Sequence, residues 1–361
     1  MLIKAICGMI IFLSHFLRIM ILQTDAEQIA RNAVCSGRKI HMPGFITHYI
    51  CGQAVFNTVD LSAQKMIVPY KQFYNIGTQG PDIFFYYIPG LLKKDLRDLG
   101  IQMHKHLFGS FMSRMIDIMT IEQLRESTRS LLFSYVSGFL THYALDAAAH
   151  PYVYSKTGVR QKGDKAKAIK YSVNHRKFET AIDVLMLKLM SSKKPSDHNL
   201  WELIKVDRDP ARIVAGAMSA SIRETYTRNV SPKDVFKAMS YMTNITRILQ
   251  SRTGRRKRFM ELIENLIIGE HLVSSIIHMQ EVSDGVDYMN MGHSPWNVPG
   301  TEAKTESFVE LYNTAIFDAS QMIDAMRRCV DGEISKDKLA VVLGDRSLST
   351  GFAPDPSVIV G

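Results

Sequence analysis

A chain of 361 residues with 46% hydrophobic and 22% charged side chains holds enough apolar material for a sizeable core, which excludes disorder as a description of the whole. Its 22 glycines and 12 prolines are few for that length, which argues against a turn-dense sandwich and favours helix. The excess of 44 Lys and Arg over 35 Asp and Glu, a formal charge of +9, suits anionic partners such as phospholipid head groups or phosphodiesters, although basic residues that merely solvate helix faces would produce it too.

Residues 1–41 stand apart from the rest of the chain. Two apolar runs, 5–13 and 16–22, are separated by His15, and Arg18 interrupts the second. Neither reaches the roughly 20 residues of a spanning helix, and no small-residue cleavage site of a secretory leader is evident. A third possibility is translation from Met42, where a recognisable pattern begins. The expected organisation is an N-terminal extension (1–41), one domain (42–345) and a C-terminal tail (346–361). The expected location is the cytoplasm, with membrane association or export through the apolar segment as alternatives. The cysteines Cys7, Cys35, Cys51 and Cys329 form neither a close pair nor a CxxC, so reduced structural thiols are expected rather than a disulfide framework or thiolate zinc site.

Beyond Met42, Gly and Pro punctuate the chain at 77–81, Pro89, Gly90, Pro151, 161–167, Pro195, Pro232, Gly254 and 294–300, leaving helix-length segments between. In 125–150, Leu131, Tyr135, Phe139 and His142 share a helix face, and Pro151 should end that helix. Phe178, Ile182, Leu185 and Leu189 form the next stripe, and further helices are predicted over 209–228, 232–251, 256–281 and 304–330. Strand-like alternation is hard to find, so the fold class is all-α, a bundle able to build a metal site between facing helices.

Within 125–150, His142, Asp146 and His150 follow one another at i,i+4 steps, within about 80° of arc on a helix, so their ligand atoms can converge. Gly138 and Ala147, Ala148 and Ala149 should leave space beside them. Pro151 disfavours helical geometry at His150 and would swing its ring towards a second ion. His175 and Glu179 repeat the i,i+4 pairing on the next helix; taken alone, each such pair is also an ordinary solvated helix pair. With His150 they make a three-ligand set that leaves a zinc position open. Upstream lie His48, Asp82 after the stiff Gly80-Pro81 turn, and the pair His104 and His106. No GxSxG elbow, catalytic cysteine motif or P-loop is present, nor the adjacent His-Asp dipeptide of another phosphohydrolase class.

Five segments in order, MPGFITHY (42–49), NIGTQGPD (75–82), QMHKH (102–106), GFLTHYALDAAAHPY (138–152) and NHRKFE (174–179), resemble the bacterial zinc-dependent phospholipase C family, related in fold to fungal single-strand nucleases. The resemblance spans residues 42–190, with a fainter echo in FVELYNTA (308–315). It implies an all-helical cleft holding two or three zinc ions. His142, Asp146, His104 and Asp82 would surround one ion, with His106 the spare for His104. His150, His175 and Glu179 would surround a second, and His48 with a share of Asp146 a third. Secreted members add their processed N-terminal amine to that third ion, which here would require a start at Met42 that exposes Pro43. The Asp146–His150 spacing is also shorter than in the best-known secreted enzymes.

The activity implied is phospholipase C-type hydrolysis of a phosphodiester by metal-activated water, with Asp82 as the carboxylate that accepts the water's proton. A single-strand nuclease or phosphomonoesterase with the same metals is the alternative, and a non-catalytic helical protein stabilised by metal the third. The substrate would be a phospholipid or other phosphate ester. Phe84, Phe85, Tyr86 and Tyr87 either line a pocket or, as aromatic runs usually do, pack the core. Arg252, Arg255, Arg256, Lys257 and Arg258 either solvate a helix start or meet nucleic acid or an anionic membrane surface. No obligate protein partner is implied.

Overall fold

Helix α6, Glu126–Thr157, is apolar on every side, and each of residues 131–147 is buried, so it can be stable in water only when other helices surround it. They do so in a computed structural model that describes residues 44–87, 95–158, 165–250, 253–267, 274–279, 281–282, 285–298, 301–348 and 350–351. The expected extension 1–41, the start at Met42, Cys7, Cys35, Arg252 and residues 352–361 of the tail lie outside the described residues. Before α6 come α1 (Phe45–Thr58), α2 (Leu61–Ile67), α3 (Lys71–Gly77), a 3₁₀ helix (Gly80–Tyr86), α4 (Asp95–Lys105) and α5 (Phe108–Met119). After it come α7 (Lys165–Ser191), α8 (Leu200–Leu203), α9 (Arg208–Tyr226), α10 (Pro232–Leu249), α11 (Arg255–Ile267), α12 (Phe308–Val330) and α13 (Lys336–Leu343).

The class is all-α, as its composition predicts: no strand occurs among the described residues, whose one isolated bridge joins Trp296 to Lys304. Helices α3 and α12 pack most extensively on α6, and one apolar core runs from Phe45 to Leu348. No helix among the described residues is long and apolar enough to cross a membrane.

Three local expectations are corrected. Pro151 does not end α6, which continues to Thr157. The missing N–H frees the Ala147 carbonyl, against which Gly351 lies so closely that a Cβ there would come within 2.3 Å of the oxygen. Burial of Tyr152, Val153 and Tyr154 beyond the proline offsets the lost hydrogen bond. The gap beside Gly138 is not open space, since a Cβ at that position would sit 2.1 Å from the Tyr74 carbonyl; the glycine lets α3 and α6 touch backbone to backbone. Helix α11 does not run to 281: a 3₁₀ turn at Ser274–Ile276 folds back on it, and its carbonyls are taken by side chains of α11 and α7.

On α7 the apolar stripe also ends early, with Leu189 exposed and Phe178 and Leu185 half-buried. The inward face is His175, Glu179, Ile182, Asp183 and Met186. Counting apolar residues alone misses that phase, because polar side chains occupy its centre. Helix α12 starts at Phe308, where Ser307 and Glu310 close a reciprocal capping box.

Candidate metal centre

Five elements deliver the polar side chains. Asp82 stands on the 3₁₀ helix after Gly80, whose φ of +50° lets the turn lie flat against His142; a Cβ on Gly80 would be 2.3 Å from His142 Cδ2. His48 is on the first turn of α1, His104 at the end of α4, and His142, Asp146 and His150 on α6, with His175 and Glu179 on α7. All eight are buried.

They fall into three groups, each compact enough to hold one ion: His48, His142 and Asp146; Asp82, His104 and His142; and His150, His175 and Glu179. Within them, His48 Nε2 lies 3.1 Å from Asp146 Oδ1 and His142 Nε2 3.1 Å from Asp146 Oδ2. His104 Nε2 is 3.1 Å from Asp82 Oδ1 and 3.7 Å from Asp146 Oδ2. His150 Nε2 and His175 Nε2 approach Glu179 Oε1 at 3.4 and 3.0 Å. Bonds of 2.0–2.1 Å to a tetrahedral ion place neighbouring donor atoms about 3.3–3.4 Å apart, so these separations are those of donors sharing an ion.

Ring orientation supports the same conclusion. His142 Nδ1 donates to the Thr78 carbonyl (3.2 Å), His104 Nδ1 to Gly100 (2.7 Å) and His150 Nδ1 to Leu348 (2.7 Å). A carbonyl only accepts, so each of these Nδ1 atoms carries the proton and each Nε2 lone pair faces inward. His175 Nδ1 meets the hydroxyls of Thr157 and Tyr171 (3.2 and 3.4 Å). Buried atoms without a hydrogen-bond partner concentrate here: His48 Nδ1, Asp82 Oδ1, His104 Nε2, His142 Nε2, Asp146 Oδ2 and Glu179 Oε2. Orphaned polar atoms are costly in a folded interior, and two pairs of them face each other, Asp82 Oδ1 with His104 Nε2 and His142 Nε2 with Asp146 Oδ2, an arrangement that bound cations would satisfy.

Electrostatics in the bare site are correspondingly skewed. Burial alone would raise Asp146, but the imidazoles of His150, His142 and His48 outweigh it and hold that carboxyl well below the usual range. Burial pushes Asp82 up to about 8, with Asp146 adding to it, and pulls His104 down to about 4. Burial opposes the charge on His150, yet Asp146 and Glu179 raise it to about 9.

His106, the spare candidate, is half-buried against the Tyr226 ring at 6.4 Å and joins none of the groups. The four aromatics after Asp82 pack the core: Phe85 stacks on His104 at 5.4 Å and the Tyr87 hydroxyl donates to Asp234. Cys51 and Cys329 are free and buried.

Sequence reasoning missed Asp183, fully buried one turn beyond Glu179. Its carboxylate accepts the backbone N–H groups of Ile46 (3.1 Å) and Thr47 (2.7 Å) and the Thr47 hydroxyl (2.6 Å), and His278 Nε2 lies 2.7 Å away. Gly44, the N-cap of α1, contributes no side chain, so Asp183 caps the His48 helix from α7. The signal was present: His175, Glu179 and Asp183 continue at i,i+4 steps.

A small, partly open cleft lies beside the groups. His48, Asp146, His150 and Glu179 line it on one side, and Leu145, Val153, Ile182 and Phe308 supply apolar walls. The model of a family described as zinc dependent phospholipase C matches residues 47–229, a span that contains all eight candidate side chains. No curated protein and no solved structure matches the chain.

Proposed function

We propose that this chain, which belongs to the zinc-dependent phospholipase C family, hydrolyses phosphodiesters of the phospholipid type with two or three zinc ions held by the eight buried side chains. The observation that carries this reading is the set of orphaned buried atoms, the Nε2 of His104 and His142 with carboxylate oxygens of Asp82, Asp146 and Glu179, the two rings being turned inward by backbone carbonyls on their far side. Imidazole and carboxylate without thiolate is the donor chemistry of catalytic zinc, and three protein donors per group leave a position for water or substrate oxygen. Zinc held by these residues would supply an acidified water and positive charge beside the phosphate, and the bond to be broken is the glycerol-side P–O bond, the departing glycerol oxygen taking up a proton to give diacylglycerol.

The remaining work belongs to the protein. Asp82, His104 and His142 would hold one ion, His150, His175 and Glu179 a second, and His48 with Asp146 a third; the one Nε2 lone pair of His142 serves a single ion, while the two oxygens of Asp146 tie the groups together. Asp82, fixed by a proline-stiffened turn, accepts the proton of the attacking water through its carboxylate. Leu145, Val153, Ile182 and Phe308 give the ester's apolar portion a dry wall and limit water at the site.

The test offers zinc-loaded protein phosphatidylcholine, single-stranded DNA and a simple phosphate monoester. Release of diacylglycerol and phosphocholine, abolished by chelator and restored by zinc, is the expected result. Preferential cleavage of DNA or the monoester would move the reading to its nuclease or phosphomonoesterase alternative. Stoichiometric zinc with no ester cleaved would overturn the enzymatic reading.

A further inference from the structure

Helix α11 commits one face to the protein and leaves the opposite one bare. Inward, Lys257 Nζ donates to the carbonyls of Ser274 (2.8 Å) and Ile277 (2.7 Å), and the buried Glu264 carboxylate accepts the Ser274 N–H (3.1 Å). Lys257 and Glu264 are two helical turns apart, which fixes the helix rotationally. Outward, Arg255, Arg258, Phe259 and Leu262 follow the i, i+3, i+4, i+7 spacing of a single face, and all four are exposed. Phe259 is 41% and Leu262 59% accessible, so two large apolar side chains sit in water beside two guanidinium groups.

The nearest acid on α11, Glu261, is half-buried beside Lys257 and off the stripe. The turn under the helix is tied to α7: Arg176 Nε donates to Ser275 Oγ (2.9 Å) and the Thr180 hydroxyl to the Ser275 carbonyl (3.3 Å). Arg176 and Thr180 immediately follow His175 and Glu179, so the exposed face is coupled to the helix bearing two of the three donors of a candidate ion group.

We propose that the outward face of α11, formed by Arg255, Arg258, Phe259 and Leu262, docks on an anionic lipid bilayer, the kind of surface that carries the substrate of the cleft. This rests on the phospholipid reading of the cleft. Charge selects the occupant. A second copy would set the same two arginines against each other in a chain of net charge +9, and nucleic acid would use the arginines and stack on Phe259 but leave Leu262, which has no π-face, in water. A bilayer with acidic head groups satisfies both halves of the stripe, because guanidinium groups meet phosphate while the ring and leucine enter the acyl boundary.

The experiment is co-sedimentation of the zinc-loaded full chain with vesicles of phosphatidylcholine alone and of an equimolar phosphatidylcholine–phosphatidylglycerol mixture, alongside turnover of a soluble short-chain phosphodiester. The full chain should prefer the anionic vesicles. R255Q/R258Q should lower that partitioning about 30-fold, two basic groups at about 1 kcal/mol each, and F259S/L262S should weaken binding to both vesicles. Soluble turnover should stay unchanged in both variants. Equal binding to both vesicle types, or variants that bind like the parent, would overturn the proposal. A dimer broken by the substitutions would assign the face to a second copy, and stronger binding to single-stranded DNA would assign it to nucleic acid; either overturns it. Vesicle binding without turnover of the soluble diester would support docking while sinking the phosphodiesterase reading, so the two failures are distinguishable.

Discussion

The Asp183 carboxylate accepts both the backbone N–H (2.7 Å) and the hydroxyl (2.6 Å) of Thr47, across 136 residues of chain, and thereby sets the start of the helix that carries His48. Asp183→Ala leaves two N–H groups, a hydroxyl and His278 without that partner. Removing one side of a buried charged network costs about 3–5 kcal/mol. Urea denaturation should show a loss of that size, and metal analysis should show a deficit at the His48 group. An unchanged midpoint would mean that α1 is held by its apolar face alone.

His142 belongs to two candidate groups and His175 to one. His142→Ala should lose the ion held with Asp82 and His104 or with His48 and Asp146 while keeping that of His150, His175 and Glu179, and His175→Ala the reverse, when both are loaded and dialysed identically. Chelation of the parent should lower the thermal midpoint, because emptied sites leave buried donors orphaned and metal binding adds directly to folding free energy. Full zinc content in His142→Ala would contradict its role as a ligand.

Asp82→Asn keeps the shape of the turn but removes the proton acceptor. Loss of general-base catalysis is expected to lower kcat by about 10²–10⁴-fold. Zinc in the His150, His175 and Glu179 group should be retained. Undiminished turnover with metal in place would exclude Asp82 as the base.

Gly80 and Gly254 both adopt positive φ, +50° and +69°, but a Cβ on Gly80 strikes His142 whereas one on Gly254 meets nothing within 4 Å. Alanine at either carries the left-handed backbone penalty of about 1–2 kcal/mol. Gly80→Ala should in addition weaken zinc binding, read by competition with a chromogenic chelator, while Gly254→Ala should not. Matching zinc affinities would show that the contact with His142 can relax.

Lys71 Nζ sits 3.3 Å from the Phe56 ring centroid and 4.4 Å from that of Tyr74, with no hydrogen-bond partner. The ring faces attract the ammonium, but burial outweighs them and pulls its pKa from 10.5 down to about 7. Between those values the unfolded chain binds more protons than the folded one, so this group's contribution rises as pH goes from about 7 to 10.5 and is lost on descent. Denaturation of the parent and Lys71→Met across that window should show the parent gaining stability relative to the variant. A constant difference would mean that Lys71 titrates normally.

Much of the site was legible because helical geometry turns short spacings into shared faces. His142, Asp146 and His150, and likewise His175 and Glu179, needed only the i,i+4 rule to be grouped. Asp183 obeys the same rule yet escaped notice, since its partners, the N–H groups of Ile46 and Thr47, belong to a helix start that no local pattern connects to it. Pro151 misled because its cost was weighed without the buried tyrosines on its far side.

Local periodicity, composition and the spacing of His and carboxylate along helices determine an all-α chain with polar groups arranged for cations, because these depend on neighbours within two turns. The tertiary structure alone decides which ring nitrogen faces inward and how the groups share Asp146 and His142. The Leu348 carbonyl that orients His150 lies 198 residues away, and such contacts arise only when distant helices pack. The inward phase of α7, with Glu179 and Asp183 at its centre, likewise follows from burial against α1 and α6, which no short window of sequence contains.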